Sequence, residues 1–144
     1  DMYKAVIKAS RNADALIMAA AVSDYRAKLK SPQKIKKGSN NTTSLELEMN
    51  PDILAEVNGA KVKVGFAAET ENLLKNAKIK LRSKGADLLI ANDVSSSNGV
   101  FGSDTNKVTI IGNRGIVEDL PRMSKYAVAQ NILNRVVEIL QDPS

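Results

Sequence analysis

The sequence runs Ala15-Leu16-Ile17-Met18-Ala19-Ala20-Ala21-Val22 and continues directly into Ser23-Asp24-Tyr25-Arg26. The first of these stretches is continuously apolar, which is typical of a strand buried on both faces of a parallel sheet. Polar groups follow at the point where this strand should end. The stretch therefore predicts a core strand that carries polar groups at its carboxyl end.

Helices and strands alternate along the rest of the chain. An amphipathic helix is predicted at 2–11, a half-exposed strand at 45–49, and a short helix that Asn50 caps and Pro51 begins. Further strands are predicted at 62–66 and 87–91.

The second half of the chain continues this alternation. Thr70 is a suitable cap for a helix that Gly85 ends, 108–117 has the pattern of a hairpin, and Ser124 caps a final helix. The final helix places six apolar residues at helical spacing: Val128, Ile132, Leu133, Val136, Val137 and Leu140. The order of elements predicts an α/β fold, a Rossmann-like doubly wound and mostly parallel sheet with a C-terminal β-hairpin, in a single domain over 1–144.

The composition excludes several kinds of chemistry. His and Cys are both absent, so the commonest general base, zinc ligand and thiol nucleophile are missing. Electrostatic catalysis on phosphates needs neither residue. The lack of Cys fits a cytosolic protein, and no apolar run reaches the roughly 20 residues of a membrane span.

The net charge of +5 is concentrated in one segment. The residues between Tyr25 and Leu45 include no acid and six cations: Arg26, Lys28, Lys30, Lys34, Lys36 and Lys37. Such a block favours an anionic partner. The lysines at 34–37 either bind a triphosphate or lie in a solvated loop, and 27–43 is predicted to be a flexible flap.

Two lysines of the helix predicted at 71–84 stand apart from the others. At about 100° per residue, Leu73, Leu74, Ala77 and Leu81 form an apolar stripe, and Lys75, Lys78 and Arg82 fall on the far side. Lys80 and Lys84 fall on the flank of the stripe, one turn apart. They either extend outward along the core edge or reach an anion.

Polar residues at predicted strand ends are further candidates. Asp24 either accepts hydrogen bonds from a ribose or a base, or is a turn residue. Asn92-Asp93 either contacts substrate or forms a turn, and Phe66 either contacts a base or belongs to the core. Neither G-x-x-x-x-G-K-[ST] nor G-x-G-x-x-G occurs, so the usual phosphate-binding glycine motifs are absent.

Six motifs occur together in one order. They are Ala19-Ala20-Ala21-Val22-Ser23-Asp24-Tyr25-Arg26, Lys34-Ile35-Lys36-Lys37, Asn50-Pro51-Asp52-Ile53-Leu54, Val64-Gly65-Phe66-Ala67-Ala68-Glu69-Thr70, Ala91-Asn92-Asp93-Val94 and Phe101-Gly102-Ser103-Asp104. In this combination the chain closely resembles the bacterial phosphopantothenate–cysteine ligase domain. The resemblance spans about 2–140.

The resemblance implies a two-step reaction. The carboxylate of 4′-phosphopantothenate attacks CTP and gives an acyl-cytidylate and pyrophosphate, after which the amine of L-cysteine displaces CMP. Mg²⁺ is expected on the triphosphate.

The resemblance also implies roles for particular residues. Lys34 would be the lysine at the reacting centre, on the flap. The remaining CTP contacts would come from Met18, Ala19, Ala20, Asp24, Pro51, Asp52, Ile53, Leu54, Phe66, Lys80 and Lys84.

Members of this family begin with a strand, a glycine-containing loop and an Asn-x-Ser-Ser-Gly segment, none of which occurs in this sequence. The chain is therefore expected to be truncated at its N-terminus relative to the family. The resemblance implies a homodimer, with the hairpin at 108–117 as a candidate contact, and fusion to or association with a flavin-dependent decarboxylase domain.

The alternative function is a non-catalytic basic domain that binds nucleic acid or another polyanion through residues 26–37. The aromatic content of 3% argues against a base-stacking RNA platform, so nucleic acid is not the expected partner.

Overall fold

The computed structural model describes residues 1–36, 42–69, 72–93 and 103–142, without the side chains of Glu69 and Asp93. Lys37, the predicted cap Thr70, and Phe101 and Gly102 of the last motif lie outside the described residues. The chain divides into two compact units, where we expected one domain with a flap. The larger unit is Asp1–Ala20 with Ile53–Ser144, and the smaller is Ala21–Asp52, which contains the described part of 27–43.

The described residues form four helices and nine short strands. The helices are α1 (Met2–Ser10), α2 (Ile53–Glu56), α3 (Leu73–Ser83) and α4 (Lys125–Gln141). The strands are β1 (Ala15–Met18), β2 (Tyr25–Ala27), β3 (Leu47–Met49), β4 (Val62–Glu69), β5 (Leu88–Asp93), β6 (Thr105–Asn106), β7 (Val108–Gly112), β8 (Val117–Asp119) and β9 (Met123–Ser124).

The central sheet of the larger unit has the order β1-β4-β5-β7-β8. Strands β1, β4 and β5 are parallel, and the β7–β8 hairpin continues the sheet antiparallel to β5. The prediction of a mostly parallel sheet with a C-terminal hairpin is confirmed. The short strands β6 and β9 pair separately.

Apolar residues cover both faces of this sheet, as a doubly wound fold requires. On one face, Val64, Ile90 and Ile110 pack with Val128 and Ile132 of α4. On the other, Ala67, Leu89 and Ile111 pack with Ala77 and Leu81 of α3. Strand residues alternate between these faces because successive side chains point to opposite sides.

The predicted helix ends are partly confirmed. Ser124 caps α4 by accepting a hydrogen bond from the Ala127 amide at 3.1 Å. Gly85 follows α3 with φ of +54°, the left-handed conformation that glycine adopts without strain. The cap at Asn50 was wrong, because α2 begins three residues later, at Ile53.

Several predicted core positions are more exposed than expected. Strand β1 is four residues long and pairs with β4 only among the described strands, and its Ile17 is 40% exposed. On α4, Leu133 and Val137 are 43% and 48% exposed, because they lie about 100° around the helix from the buried Ile132 and Val136.

Candidate functional site

The carboxyl ends of the parallel strands form a step in the sheet. Strand β1 pairs with Val62–Gly65 and ends at Met18, whereas β4 continues to Glu69 beside β5. Beyond Gly65, the β1 side of β4 has no strand partner in the described part of the chain. Ala19 and Ala20 follow β1 at this step and are exposed. Backbone groups of both segments are therefore placed where a ligand can form hydrogen bonds with them.

Alternation along β4 assigns its side chains to the two faces. Val62, Val64 and the half-buried Phe66 belong to the face that α4 covers. Lys63, Gly65 and Ala67 lie on the α3 face. The Phe66 ring therefore takes the core position that was one of its two expected roles.

Helix α2 lies against β4 because Gly65 has no side chain. A Cβ atom on Gly65 would stand 2.6 Å from Cδ2 of Leu54 and 3.1 Å from Cδ1 of Leu89. Ile53, next to Leu54, is 5% exposed. Of the predicted CTP contacts on α2, Ile53 is thus a core residue and Leu54 rests directly on the strand.

A hydrogen bond also holds α2 to α1. The phenol of Tyr3 donates to Oε2 of Glu56 at 2.7 Å, and this bond raises the pKa of Tyr3, since the neutral phenol is the donor. The pair links the first turn of α1 to the last residue of α2.

The two lysines on the flank of α3, Lys80 and Lys84, differ in exposure. Ala77 and Leu81 are buried and Leu73 is partly buried, as expected, but Leu74 is 46% exposed. Lys84 is half-buried at the C-cap, whereas Lys80 is exposed.

The C-terminal end of α3 lies beside the first residues of β4. Nζ of Lys63 donates to the carbonyl of Lys84 at 3.2 Å. Lys84 therefore lies near the first residues of β4. Glu69 lies at the other end of this strand, where β4 pairs with the last residue of β5. The structure brings Lys84 close to α2, and it places Asn92 at the far end of the parallel strands.

Asn92 has a partner that the sequence did not indicate. Its Oδ1 accepts a hydrogen bond from Nδ2 of Asn106 at 3.0 Å, which joins the end of β5 to β6. The Asp93 side chain lies outside the described residues. A role for Asn92 and Asp93 toward substrate stays a prediction.

The smaller unit is a two-stranded antiparallel ribbon, β2 with β3. On one side, Nε of Arg26 pairs with Glu48 at 2.7 Å and Lys28 pairs with Glu46. These pairs neutralise two of the six cations of the basic segment. Glu48 lies in β3 and Glu46 directly precedes this strand, so the segment that lacks acidic residues in the sequence has acidic partners in the structure.

Asn50 stabilises this ribbon. In its side chain, Nδ2 donates to the carbonyl of Ser23 at 2.7 Å and Oδ1 accepts from Nη1 of Arg26 at 3.0 Å. Its backbone amide donates to the carbonyl of Asp24 at 2.8 Å. This use of the side chain explains why Asn50 does not cap α2. It also fixes the backbone of Asp24, whose side chain is exposed.

The other candidate residues of the smaller unit lie at its surface. Lys34, Pro51 and Asp52 are exposed. Their exposure leaves all three accessible to a small ligand.

The opposite face of the ribbon is apolar and exposed. Tyr25 stands opposite Met49 and Ala27 stands opposite Leu47. Tyr25, Leu47 and Met49 are 54%, 52% and 72% exposed. We call the three exposed residues the ribbon face.

The described residues show neither a cluster of metal-ligating side chains nor a membrane-spanning helix. They contain no group of three or more His, Cys, Asp or Glu arranged to hold a metal ion. None of the helices in the described ranges is long and apolar enough to cross a membrane.

Comparison with known proteins identifies the family. The protein-family model for the DNA/pantothenate metabolism flavoprotein C-terminal domain matches residues 1–140. The chain belongs to this family.

Relatives of this flavoprotein C-terminal domain are similar over nearly the whole chain. This chain is 40% identical over 142 residues to the coenzyme A biosynthesis bifunctional protein CoaBC of Bacillus subtilis (strain 168). The match covers 96% of this chain and 35% of that protein. The chain is 40% identical over 138 residues to CoaBC of Borreliella burgdorferi, covering 92% of this chain and 34% of that protein. The chain thus spans about a third of the length of these relatives.

Solved structures of other proteins have the same fold as this chain. The crystal structure of the C-terminal domain of a CoaBC protein matches with a TM-score of 0.76 and 35% identity, covering 99% of this chain and 62% of that one. A Cab2 mutant in complex with phosphopantothenate-cysteine matches with a TM-score of 0.66 over 95% of this chain and 48% of that one. Its 22% identity makes this second likeness one of fold alone.

Proposed function

We propose that this domain is the ligase part of a coenzyme A biosynthesis protein. It would join 4′-phosphopantothenate to L-cysteine with CTP and form 4′-phosphopantothenoylcysteine, pyrophosphate and CMP. The observation that carries the proposal is 40% identity to CoaBC over 96% of the chain. The chain spans only about a third of that relative, so the proposed activity would belong to a domain of a longer protein. Fusion to or association with a flavin-dependent decarboxylase domain would be part of the same proposal.

The first step forms a mixed anhydride. A carboxylate oxygen of 4′-phosphopantothenate attacks the α-phosphorus of CTP, the bond to the β-phosphate oxygen breaks, and pyrophosphate leaves. Lys34, on the exposed segment of the smaller unit, would stand beside the reacting phosphate as a point charge. Mg²⁺ would be held mainly by the phosphates and water, as is usual for this ion, so it needs no cluster of protein carboxylates.

The second step forms the amide. The amine of L-cysteine attacks the acyl carbon, the bond to the phosphate oxygen of CMP breaks, and the amine loses a proton. Positioning and charge neutralisation supply the catalysis, in a chain that contains neither His nor Cys.

The residues of the larger unit would hold the nucleotide. The step between β1 and β4 offers backbone groups at Met18, Ala19 and Ala20. Leu54 on α2, and Lys80 and Lys84 on α3, would contribute apolar contact and positive charge. In the smaller unit, Asp24 would accept hydrogen bonds from the base or ribose, beside Pro51 and Asp52.

Nucleotide binding is the first property to test. Isothermal titration of the full chain with CTP and Mg²⁺ should give saturable binding, stronger than with ATP. Lys80→Ala and Lys84→Ala should each weaken CTP binding about tenfold, which corresponds to roughly 1.4 kcal/mol. Lys75→Ala and Lys78→Ala are matched controls, since both lysines lie exposed on the same helix and should leave the affinity unchanged. Equal losses in all four variants would contradict a specific role for Lys80 and Lys84.

The same titrations separate this proposal from a polyanion-binding domain. Salt-sensitive binding of single-stranded RNA or DNA, without CTP binding, would favour the alternative. The ion pairs of Arg26 and Lys28 with Glu48 and Glu46 argue against it, because they neutralise part of the basic segment.

We also propose that the domain forms a homodimer through the ribbon face. Of the predicted contact at 108–117, Val108–Gly112 is buried inside the sheet, whereas Asn113, Arg114, Gly115 and Val117 are exposed. Tyr25, Leu47 and Met49 instead expose adjacent apolar side chains, an arrangement typical of protein interfaces. Sedimentation equilibrium should show a dimer that Leu47→Glu with Met49→Glu converts to a monomer. An unchanged mass in this variant would exclude the ribbon face. A cytoplasmic location stays a prediction from the sequence.

A further inference from the structure

The side chain of Lys63 forms its hydrogen bonds inside the fold. It lies near the start of β4 on the α3 face and is half-buried. Its Nζ donates to three backbone carbonyls, those of Leu54 at 3.3 Å, Val57 at 3.1 Å and Lys84 at 3.2 Å. An ammonium group has three donors, so these carbonyls use all of them. Lys63 is therefore fully occupied within the fold and has no donor left for a ligand.

The three carbonyls come from two different elements. Leu54 lies within α2, Val57 directly follows it, and Lys84 is the C-cap of α3. A cation is favourable at a helix C-terminus, where the last carbonyls lack helical partners. One side chain thus binds the C-terminal ends of α2 and α3 to the same strand.

The backbone of Lys63 is itself fixed. Its amide donates to Oδ2 of Asp87 at 2.8 Å, and its carbonyl accepts from the Asp87 amide, also at 2.8 Å. The other carboxylate oxygen of Asp87 accepts from Nδ2 of Asn113 at 3.0 Å. The base of the Lys63 side chain is consequently held by two hydrogen bonds to Asp87.

The C-terminus of α3 has additional support at the same place. The amides of Gly85 and Ala86 donate to the carbonyls of Arg82 and Leu81. The carbonyl of Lys84 accepts a hydrogen bond from Nζ of Lys63 at 3.2 Å. The position of the Lys84 backbone therefore depends on Lys63.

We propose that Lys63 is a positioning residue for nucleotide binding, which sets the distance between Leu54 on α2 and Lys84 on α3. This inference rests on the proposed CTP site. Leu54 and Lys84 lie 30 residues apart in the sequence, and the Lys63 ammonium is a direct hydrogen-bonded link between their carbonyls. Displacement of a binding group by about 1 Å is enough to lower function markedly.

The test compares Lys63→Met with Lys61→Met in the full chain. Both changes remove one positive charge from the same part of the chain, but Lys61 is exposed and pairs only with Asp14 among the described residues. CTP dissociation constants are measured at a temperature at which circular dichroism shows each variant folded. We expect Lys63→Met to weaken CTP binding about tenfold and Lys61→Met to leave it within twofold.

A double-mutant cycle distinguishes positioning from a purely structural role. Lys84→Ala should weaken CTP binding about tenfold in the wild-type background and clearly less in the Lys63→Met background, because Lys84 is then already displaced. Independent losses of equal size in both backgrounds would overturn the proposal. So would unchanged CTP affinity in Lys63→Met.

Two further outcomes are decisive. If Lys63→Met does not fold, Lys63→Gln takes its place in the cycle, since its amide keeps two of the three donors. If the wild-type chain does not bind CTP, the proposed function fails for this chain and the inference fails with it. Binding by the wild type with no effect of either Lys63 variant would refute the inference alone.

Discussion

Gly65→Ala is the change whose consequence follows most directly from the packing of α2 on β4. The new Cβ would stand 2.6 Å from Cδ2 of Leu54, about 1 Å closer than ordinary carbon contacts. Leu54 can rotate part of the way, but Leu89 at 3.1 Å leaves little room on the other side. Overpacking of this kind costs about 1–3 kcal/mol, and the lower backbone entropy of unfolded Ala offsets about 0.5–1 kcal/mol. We expect a net loss of about 1–2 kcal/mol.

The assay is urea unfolding followed by circular dichroism, for Gly65→Ala, Leu54→Ala and the double variant. Leu54→Ala removes the atom that collides, so Gly65→Ala should be about 1 kcal/mol less costly in that background. The same loss in both backgrounds, or a gain in stability for Gly65→Ala alone, would refute the packing of Leu54 on Gly65.

Three further predictions concern local stability. Gly85→Ala should destabilise the chain by about 1–2 kcal/mol in the same urea assay, because φ of +54° disfavours a side chain; an unchanged midpoint would contradict this conformation. Arg135 and Glu118, joined at 2.6 Å, should show a coupling of about 0.5–1 kcal/mol in a double-mutant cycle, smaller in high salt because both side chains are partly exposed. The hydrogen bond from Lys61 lowers the pKa of Asp14 below its ordinary value of 3.8. The ionised carboxylate therefore stabilises the fold above that pH, and this contribution to the free energy of unfolding is lost as the pH falls through the lowered pKa. Lys61→Met should flatten this part of the pH profile of unfolding, and an identical acid profile in wild type and variant would argue against the pair.

Local patterns predicted most of the fold. The period of α4, the Ser124 cap and the Gly85 terminator depend on residues within a few positions of each other, and all three are confirmed. The parallel strands β4 and β5 and the β7–β8 hairpin were likewise predictable, because continuous or alternating apolar runs specify buried strands.

The errors occurred where a side chain has a distant partner. Asn50 has the composition of a helix cap, but it bonds to Ser23 and Arg26 across the ribbon. The basic segment appeared unpaired because its partners, Glu46 and Glu48, follow it in the sequence and reach Arg26 and Lys28 only when β2 and β3 pair.

The sequence by itself determined the family, the order of elements and the separate position of Lys84 on the flank of α3. Only the tertiary structure decided which of the candidate residues share a neighbourhood: Leu54 and Lys84 meet through Lys63, whereas Asn92 lies at the opposite end of the strands. The physical reason is that every residue has a backbone carbonyl, so the residue type does not indicate which carbonyl accepts a hydrogen bond from a distant side chain. Lys63 looks like any outward-facing lysine in an alternating strand, and its role exists only once α2 and α3 both end beside it.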